Sequence, residues 1–290
     1  MLPVVMIGSL LCAPQAQPTP PGQLTVDASF NPAFDAPDFK TGAKPIVFID
    51  EAHRNVISLE TYLGPVGRWL ERLGYQVRPS RTNAEELGIA QGTAGAVFVV
   101  ANAQAPAGSP ADASAFTEQE VIALESWVED GGSLLLVADR APFGAPARAL
   151  AKAFGVTLDN NTILIKNADG PPTGELTVNV NKYGERTHPL FDRVLTVAYV
   201  VGESMTGPGV ILRAPDGAYS GPTAQATEGP PAAGKALILA FEHGKGRVVV
   251  IGDGGVVSAF GSASGNAHRG ISEGDNARFV RNMFKWLATR

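Results

Sequence analysis

Cysteine is all but missing from this sequence. Cys12 is the one thiol in 290 residues, so a chain trimmed beyond it can hold no disulfide, no cysteine zinc site and no cysteine nucleophile. Basic charge is also scarce: 23 Lys and Arg stand against 28 Asp and Glu, for a net charge of -5. That predicts no broad basic surface for nucleic acid or anionic lipid. No apolar run is long enough to span a bilayer. What the chain has is 44% hydrophobic and 18% charged residues, which suits one globular α/β domain or a domain carrying an insertion. Its 33 Gly and 22 Pro are spread along the sequence and indicate many turns.

Residues 2–13 (LPVVMIGSLLCA) are apolar and run into the Pro-rich stretch PQAQPTPPGQ. This pattern resembles the core and exit of a secretory signal peptide, with residues 1–16 removed by cleavage near Ala16. No Lys or Arg precedes the run, and Leu11 stands where a lipoprotein signal places a small residue before its cysteine, which disfavours lipid attachment at Cys12. The expected location is periplasmic or secreted, with no transmembrane span in the mature chain. An apolar N-terminus on a cytoplasmic protein is the alternative. Residues 17–44 read as a linker or irregular lead-in, and residues 45–290 as a single domain.

Within that domain, short apolar runs alternate with helical patterns. PIVFID (45–50) predicts a strand; Val66, Trp69, Leu70 and Leu73 then fall at helical spacing before Gly74. YQVRPS (75–80) predicts a second strand, residues 84–89 a short helix or turn, GAVFVVANA a third strand ending at Asn102, and residues 104–115 a mobile loop. Thr117 and Glu120 have capping-box spacing before a helix whose face carries Val121, Leu124 and Val128, closed by Gly131. A strand ending at Asp139 and a helix closed by Gly155 follow. This alternation predicts right-handed crossovers and a mainly parallel sheet. Residues 156–234 lose the pattern and read as a β-rich insertion; HGKG (243–246) then joins two strands in a hairpin, and Phe279, Val280, Met283, Phe284 and Leu287 share one face of a closing helix.

The string Asp50-Glu51-Ala52-His53 also matches the second motif of DEAH-box helicases. An ATPase needs a phosphate cradle between a strand and a helix. The near match GPPAAGKA (229–236) has Ala236 where a hydroxyl must bind magnesium, and Pro230 and Pro231 where backbone N–H groups are needed. It also precedes an apparent strand and follows the acidic string, so the motor reading fails. A serine hydrolase is equally unsupported: there is no G-x-S-x-G elbow, and Ser258 lacks a supporting motif.

Several strands end in polar residues: Asp50, Glu51, His53 and Asn55 after the first, Asn102 after the third, Asp139 and Arg140 after the fourth, Asp253 after the last. Ligands of open parallel sheets bind outside those ends. One reading makes Glu51, His53 and Asp139 catalytic acids, bases or proton shuttles, with Asp50, Asn55, Asn102, Arg140 and Asp253 binding a ligand. The competing reading has Asn55, Asp139 and Asp253 capping helices and turns. No cofactor is demanded. A divalent metal needs three convergent ligands, for which Asp50, Glu51, His53, Asp139 and His188 are the candidates. His188 in THPLF otherwise reads as a turn residue, and His243 and His268 as members of solvated loops.

The strings VFIDEAHRN, VVANA, FTEQEVIALESWVEDGGSLLLVADRAPFG, HPLF, GKGRVVVIGD and DNARFVRNMFKWL together resemble the bacterial domain of unknown function 4350 family. That resemblance covers residues 45–155 and 235–290. It implies an exported protein of the class I glutamine-amidotransferase-like superfamily, a flavodoxin-like α/β three-layer sandwich. True amidotransferases use a cysteine at a strand-to-helix elbow, and VVANA offers none, so glutaminase activity is excluded. The expected function is ligand binding, of a small molecule or a cell-envelope component. The alternative is a hydrolase of a sugar or small envelope-derived substrate using Glu51, His53 and Asp139, with or without a metal.

Overall fold

The computed structural model describes residues 24–40, 42, 44–81, 95–110, 112–167, 170–262 and 268–289. The leader expected over 1–16 and the short element expected over 84–89 lie outside them. In chain order the elements are β1 (Leu24–Val26), β2 (Ile46–Asp50), α1 (Gly64–Arg72), β3 (Gln76–Ser80), β4 (Val97–Ala101), α2 (Glu118–Glu129), β5 (Ser133–Val137) and α3 (Arg148–Ala153). There follow β6 (Thr157–Leu158), β7 (Thr162–Leu164), β8 (Leu176–Asn179), α4 (Val180–Tyr183), β9 (Thr196–Tyr199), β10 (Met205–Thr206), β11 (Val210–Arg213) and β12 (Tyr219–Gly221). The chain closes with β13 (Ala236–His243), β14 (Gly246–Ile251), β15 (Ala259–Ser262), β16 (His268–Gly270) and α5 (Asn276–Ala288).

This is a mixed α/β fold with one large mixed sheet and few helices. The sheet has nine strands in the order β3-β2-β4-β5-β14-β13-β10-β6, with β11 also on β13. Its first five strands run parallel. From β13 onward every pairing is antiparallel. The expectation of a mainly parallel sheet is corrected accordingly: the hairpin at Gly244 and Lys245 reverses the chain, and β6, β10 and β11 of the loosely patterned segment extend the sheet from there. The remaining strands of that segment pair as β7 with β12 and β8 with β9.

The inner parallel strands β4, β5 and β14 are largely apolar because both faces are covered, whereas the edge strand β3, QVRPS, is not. Val97, Val99 and Ala101 of β4, Leu135 and Val137 of β5, and Val249 and Ile251 of β14 join a core with Trp69 and Leu70 of α1 and Phe279, Val280, Met283 and Phe284 of α5. Their alternates, Phe98, Val100, Leu134, Leu136, Val248 and Val250, pack with Leu124 and Val128 of α2 and Leu150 of α3. The capping box at α2 forms as the spacing predicts: Thr117 accepts from the Glu120 N–H while the Glu120 side chain accepts from the Thr117 N–H.

Residues 24–40 have little regular structure, yet they are anchored. β1 pairs with β15, Phe30 meets Trp69 edge-on, and Asp38 is held by Arg281 at 2.9 Å. Gly74 permits this course, since it has φ +101° and a Cβ there would fall 2.0 Å from the Phe39 carbonyl oxygen. Among the described residues no helix is long and apolar enough to cross a membrane.

From β2 the chain steps outward to β3 and then back past β2 to β4, so the strand order reverses there. Such a reversal splays the loops leaving two neighbouring strands and opens a crevice at their carboxyl ends.

Candidate functional site

The loop leaving β2 folds over its own last residue. Asp50 is buried, and its Oδ1 accepts from the Ala52 N–H at 3.1 Å. Its Oδ2 accepts from Asn55 Nδ2 at 2.8 Å, and Asn55 Oδ1 in turn accepts from the Ala101 N–H at 3.1 Å. Asn55 thus ties the end of β2 to β4. His53 lies beneath this loop with 9% exposure and its ring 4.1 Å from that of Phe116. Nδ1 is 2.8 Å from Asp50 Oδ2, and Nε2 is 3.2 Å from Glu120 Oε1. Both imidazole nitrogens are therefore committed to carboxylates.

Burial by itself would push the His53 pKa down, but the hydrogen bonds and negative charges of Asp50 and Glu120 outweigh it and hold the ring above its ordinary value. Burial would likewise raise Glu120; hydrogen bonds from the Thr117 N–H and hydroxyl, with the His53 charge, hold it below the usual carboxylate range instead. The result is a carboxylate–imidazolium–carboxylate bridge from β2 to the first turn of α2. Glu51 points elsewhere, its Oε2 3.2 Å from Arg81 Nε.

A second polar cluster lies at the ends of β4, β5 and β14. Asn102 holds φ +54°, a left-handed conformation that asparagine tolerates better than most side chains. Its Oδ1 accepts from the Asp139 N–H at 3.0 Å, joining β4 to β5. The Asp139 carboxylate accepts from the Arg140 N–H at 2.7 Å. Asp253 caps the short helical turn Gly254–Val257 by accepting from the Gly255 N–H at 2.7 Å, and also accepts from the Val200 N–H.

These groups line one cavity of about 230 Å³. Asn102, Asp139, Arg140 and Asp253 form its polar side, while Ile57, Tyr62, Phe143, Val200, Val201 and Phe260 supply apolar wall. Leu24 and Val56, 46% and 40% exposed, also line it. Gly254 keeps the space open: a Cβ there would fall 2.3 Å from Ile57 Cδ1 and 3.2 Å from Asp139 Oδ2.

The electrostatics differ from those around His53. Burial raises the pKa of both Asp139 and Asp253, and the charge of Asp139 pushes Asp253 further up; Arg140 and the backbone N–H groups only partly offset this. Glu203, in the loop before β10, adds a third acid. Burial, with the charges of Asp139 and Asp159 adding to it, pushes Glu203 up to about 9 against the hydrogen bond from the Asn160 N–H. Its Oε1 is buried without a hydrogen-bond partner. Two of these three acids resist ionisation at neutral pH, as carboxyl groups do where no counter-ion reaches them.

The structure therefore divides the residues that the sequence grouped together. Asn102, Asp139, Arg140 and Asp253 share the cavity; Asp50, His53 and Asn55 build the bridge; Glu51 is at the Arg81 contact. Asp139 lines this cavity, whereas Glu51 and His53 are not among its lining residues, and Asp50, Glu51, His53, Asp139 and His188 do not gather as metal ligands among the described residues. His188 caps the turn Pro189–Phe191, as expected of it. His243 is not in a solvated loop: it ends β13 with its ring against Phe154. His268 stands in β16, 2.7 Å from Asp27. Sequence reasoning missed Glu203 and the apolar walls from 56–62 and 200–201. The Gly254–Gly255 pair after Asp253 was the available signal, since paired glycines at a strand end mark close packing around a site.

A family described as a domain of unknown function (DUF4350) matches residues 66–284. A search of curated protein sequences gives no match. Among solved structures, the mmIFT52 N-terminal domain superposes with a TM-score of 0.62 at 14% identity, covering 84% of this chain and 98% of that one. The cytoplasmic protein STM3548 from Salmonella typhimurium gives 0.51 at 11% identity, covering 85% and 100%. At these identities the likeness is one of fold.

Proposed function

The chain belongs to the DUF4350 family, and within it we propose that this protein is a small-molecule-binding domain, its ligand seated in the cavity at the ends of β4, β5 and β14. One observation carries this reading: four strand-end polar residues, Asn102, Asp139, Arg140 and Asp253, converge on a cavity whose other walls, Ser258 apart, are apolar or glycine. That combination of an apolar enclosure with a few fixed polar groups is what ligand sites share. The ligand's apolar body faces Ile57, Tyr62 and Phe260, and its polar end takes hydrogen bonds from Arg140 and gives them to Asp139.

The acid–base alternative built on Glu51, His53 and Asp139 is not favoured, because His53 has no free nitrogen to move a proton. The order β3-β2-β4-β5-β14 supports a flavodoxin-like ancestry, which has the same reversal. With it goes the glutamine-amidotransferase-like superfamily, without that superfamily's cysteine. Residues 2–13 support export to the periplasm or beyond, where a small molecule of the cell envelope is the expected ligand.

Thermal denaturation against a library of small molecules tests the binding reading. A ligand at a hundred times its Kd raises stability by about 2.7 kcal/mol. Val56→Trp, which fills the half-exposed mouth of the cavity, abolishes that rise while leaving the unliganded protein folded; a rise unchanged in Val56→Trp would place the ligand elsewhere. Fractionation of the native host tests export, and intact leader in the cytoplasm would reject it.

A further inference from the structure

A different feature stands on the far side of α2 from its capping box. Glu125 and Glu129 are four residues apart and share a face of the helix. His243, the last residue of β13, comes up against them. One donor atom from each of the three lies within 4.8 Å of the other two.

Like charges at this helical spacing repel, and no Lys or Arg ion pair relieves either glutamate among the described residues. Lys245 reaches Asp130 instead, and Arg247 reaches Glu242. His243 Nε2 is buried and makes no hydrogen bond. Its nearest charged neighbour, Glu129 Oε1, stands 3.8 Å away, too far for a hydrogen bond and suited to two ligands of one ion. The imidazole is oriented by Phe154, whose ring meets it edge-on at 5.0 Å.

The backbone holds the two elements in place independently of these side chains. The Lys245 N–H donates to the Glu129 carbonyl at 2.8 Å. Gly244, at φ +59°, leaves no room for a side chain: a Cβ would fall 2.6 Å from Glu129 Cα. The hairpin turn is thus pressed onto the end of the helix, and the backbones that carry the three donors are held on rigid elements.

We infer that Glu125, Glu129 and His243 form a divalent transition-metal site, of the zinc class, that clamps the β13–β14 hairpin to α2. One imidazole nitrogen with two carboxylate oxygens suits Zn²⁺, Co²⁺ or Ni²⁺, whereas Mg²⁺ and Ca²⁺ select oxygen-only shells. Bonds of about 2.0–2.2 Å place tetrahedral ligands roughly 3.3–3.6 Å apart. The glutamate side chains close the remaining gap by rotamer changes at the surface, and water completes the shell.

The test is titration of tag-free, chelator-treated protein with Zn²⁺ and, separately, Mg²⁺, followed by calorimetry and thermal denaturation, with Co²⁺ absorption reporting the coordination geometry. One Zn²⁺ binds per chain and raises Tm; Mg²⁺ does neither. His243→Gln weakens Zn²⁺ on the order of tenfold or more and removes the Co²⁺ ligand-field bands. Glu125→Gln, a change on the helix surface that leaves folding intact, also weakens it. His268→Gln, remote from the cluster, does not. Failure of the wild type to bind Zn²⁺, or binding unchanged in both His243→Gln and Glu125→Gln, overturns the site.

Discussion

The cluster at the end of β2 and the cluster at the ends of β5 and β14 are built from the same materials: strand-end aspartate, an asparagine crossing to the next strand, and a glutamate from a distant part of the chain. They differ in whether a cation is enclosed. In the first, His53 lies between Asp50 and Glu120 and both acids have it as partner. In the second, Asp139, Asp253 and Glu203 press on one another with Arg140 at the margin, and their pKa values rise. A satisfied cluster is a fastener, whereas an electrostatically unsatisfied one beside a cavity can still gain from a ligand. DEAH, the most conspicuous string in the sequence, belongs to the fastener.

The comparison breaks most directly at His53. His53→Ala leaves two buried carboxylates facing an empty space, and removing one member of such a bridge costs about 3–5 kcal/mol, read as a lower urea midpoint. Asp253→Asn keeps an acceptor for the Gly255 N–H and removes a charge that burial already disfavours, but its amide nitrogen then faces the Val200 N–H. Stability therefore falls by about 1 kcal/mol, less than for His53→Ala, while ligand affinity falls. If Asp253→Asn proved the more damaging of the two, the assignment of fastener and site would be reversed.

The clusters also respond oppositely to pH. His53 has a folded pKa above its unfolded value, so its contribution is complete below about pH 6.5 and is lost as pH rises through the folded pKa. Glu120, held low, contributes above about pH 4.5 and is lost as pH falls through its folded pKa. The bridge is therefore strongest between those limits. Glu203 behaves as a buried neutral acid: folding is indifferent to it below about pH 4.5, and stability falls as pH climbs towards the folded value of about 9. Glu203→Gln removes that alkaline decline, on the order of 2 kcal/mol between about pH 6 and pH 9, against an upper limit of about 1.36 kcal/mol per unit. Urea titrations at the two pH values read the difference, and an equally steep decline in the variant would mean that Glu203 is already ionised.

The parallel strands, α2 with its caps, α5 and the hairpin were legible because each announces itself locally, through continuous apolar runs, helical spacing or Thr117 and Glu120 three apart. The antiparallel half of the sheet was not. Met205–Thr206 is a two-residue strand that depends on the edge offered by β13, and Thr157–Leu158 is another that depends in turn on Met205–Thr206. Within the site, Asn102, Asp139, Arg140 and Asp253 were visible as strand-end polar residues. Which of the strand-end residues would meet was not visible, because that depends on Glu120, Val200 and Glu203 arriving from far along the chain.

The smallest effect separates two jobs that Thr117 performs for the first cluster. Its hydroxyl accepts from the Glu120 N–H at 3.2 Å, the ordinary helix cap, and donates to Glu120 Oε2 at 2.8 Å, which leaves Oε1 turned to His53. Thr117→Ala loses both, at about 1 kcal/mol for the cap and a little more for the freed carboxylate. Thr117→Ser retains both and restores the urea midpoint. If the cap alone mattered, Thr117→Ala would leave the titration of His53, followed by NMR, unmoved. Coupling through Glu120 requires the His53 pKa to shift in the alanine variant and return in the serine one, and no comparable change at Thr117 should reach Asp139 or Asp253.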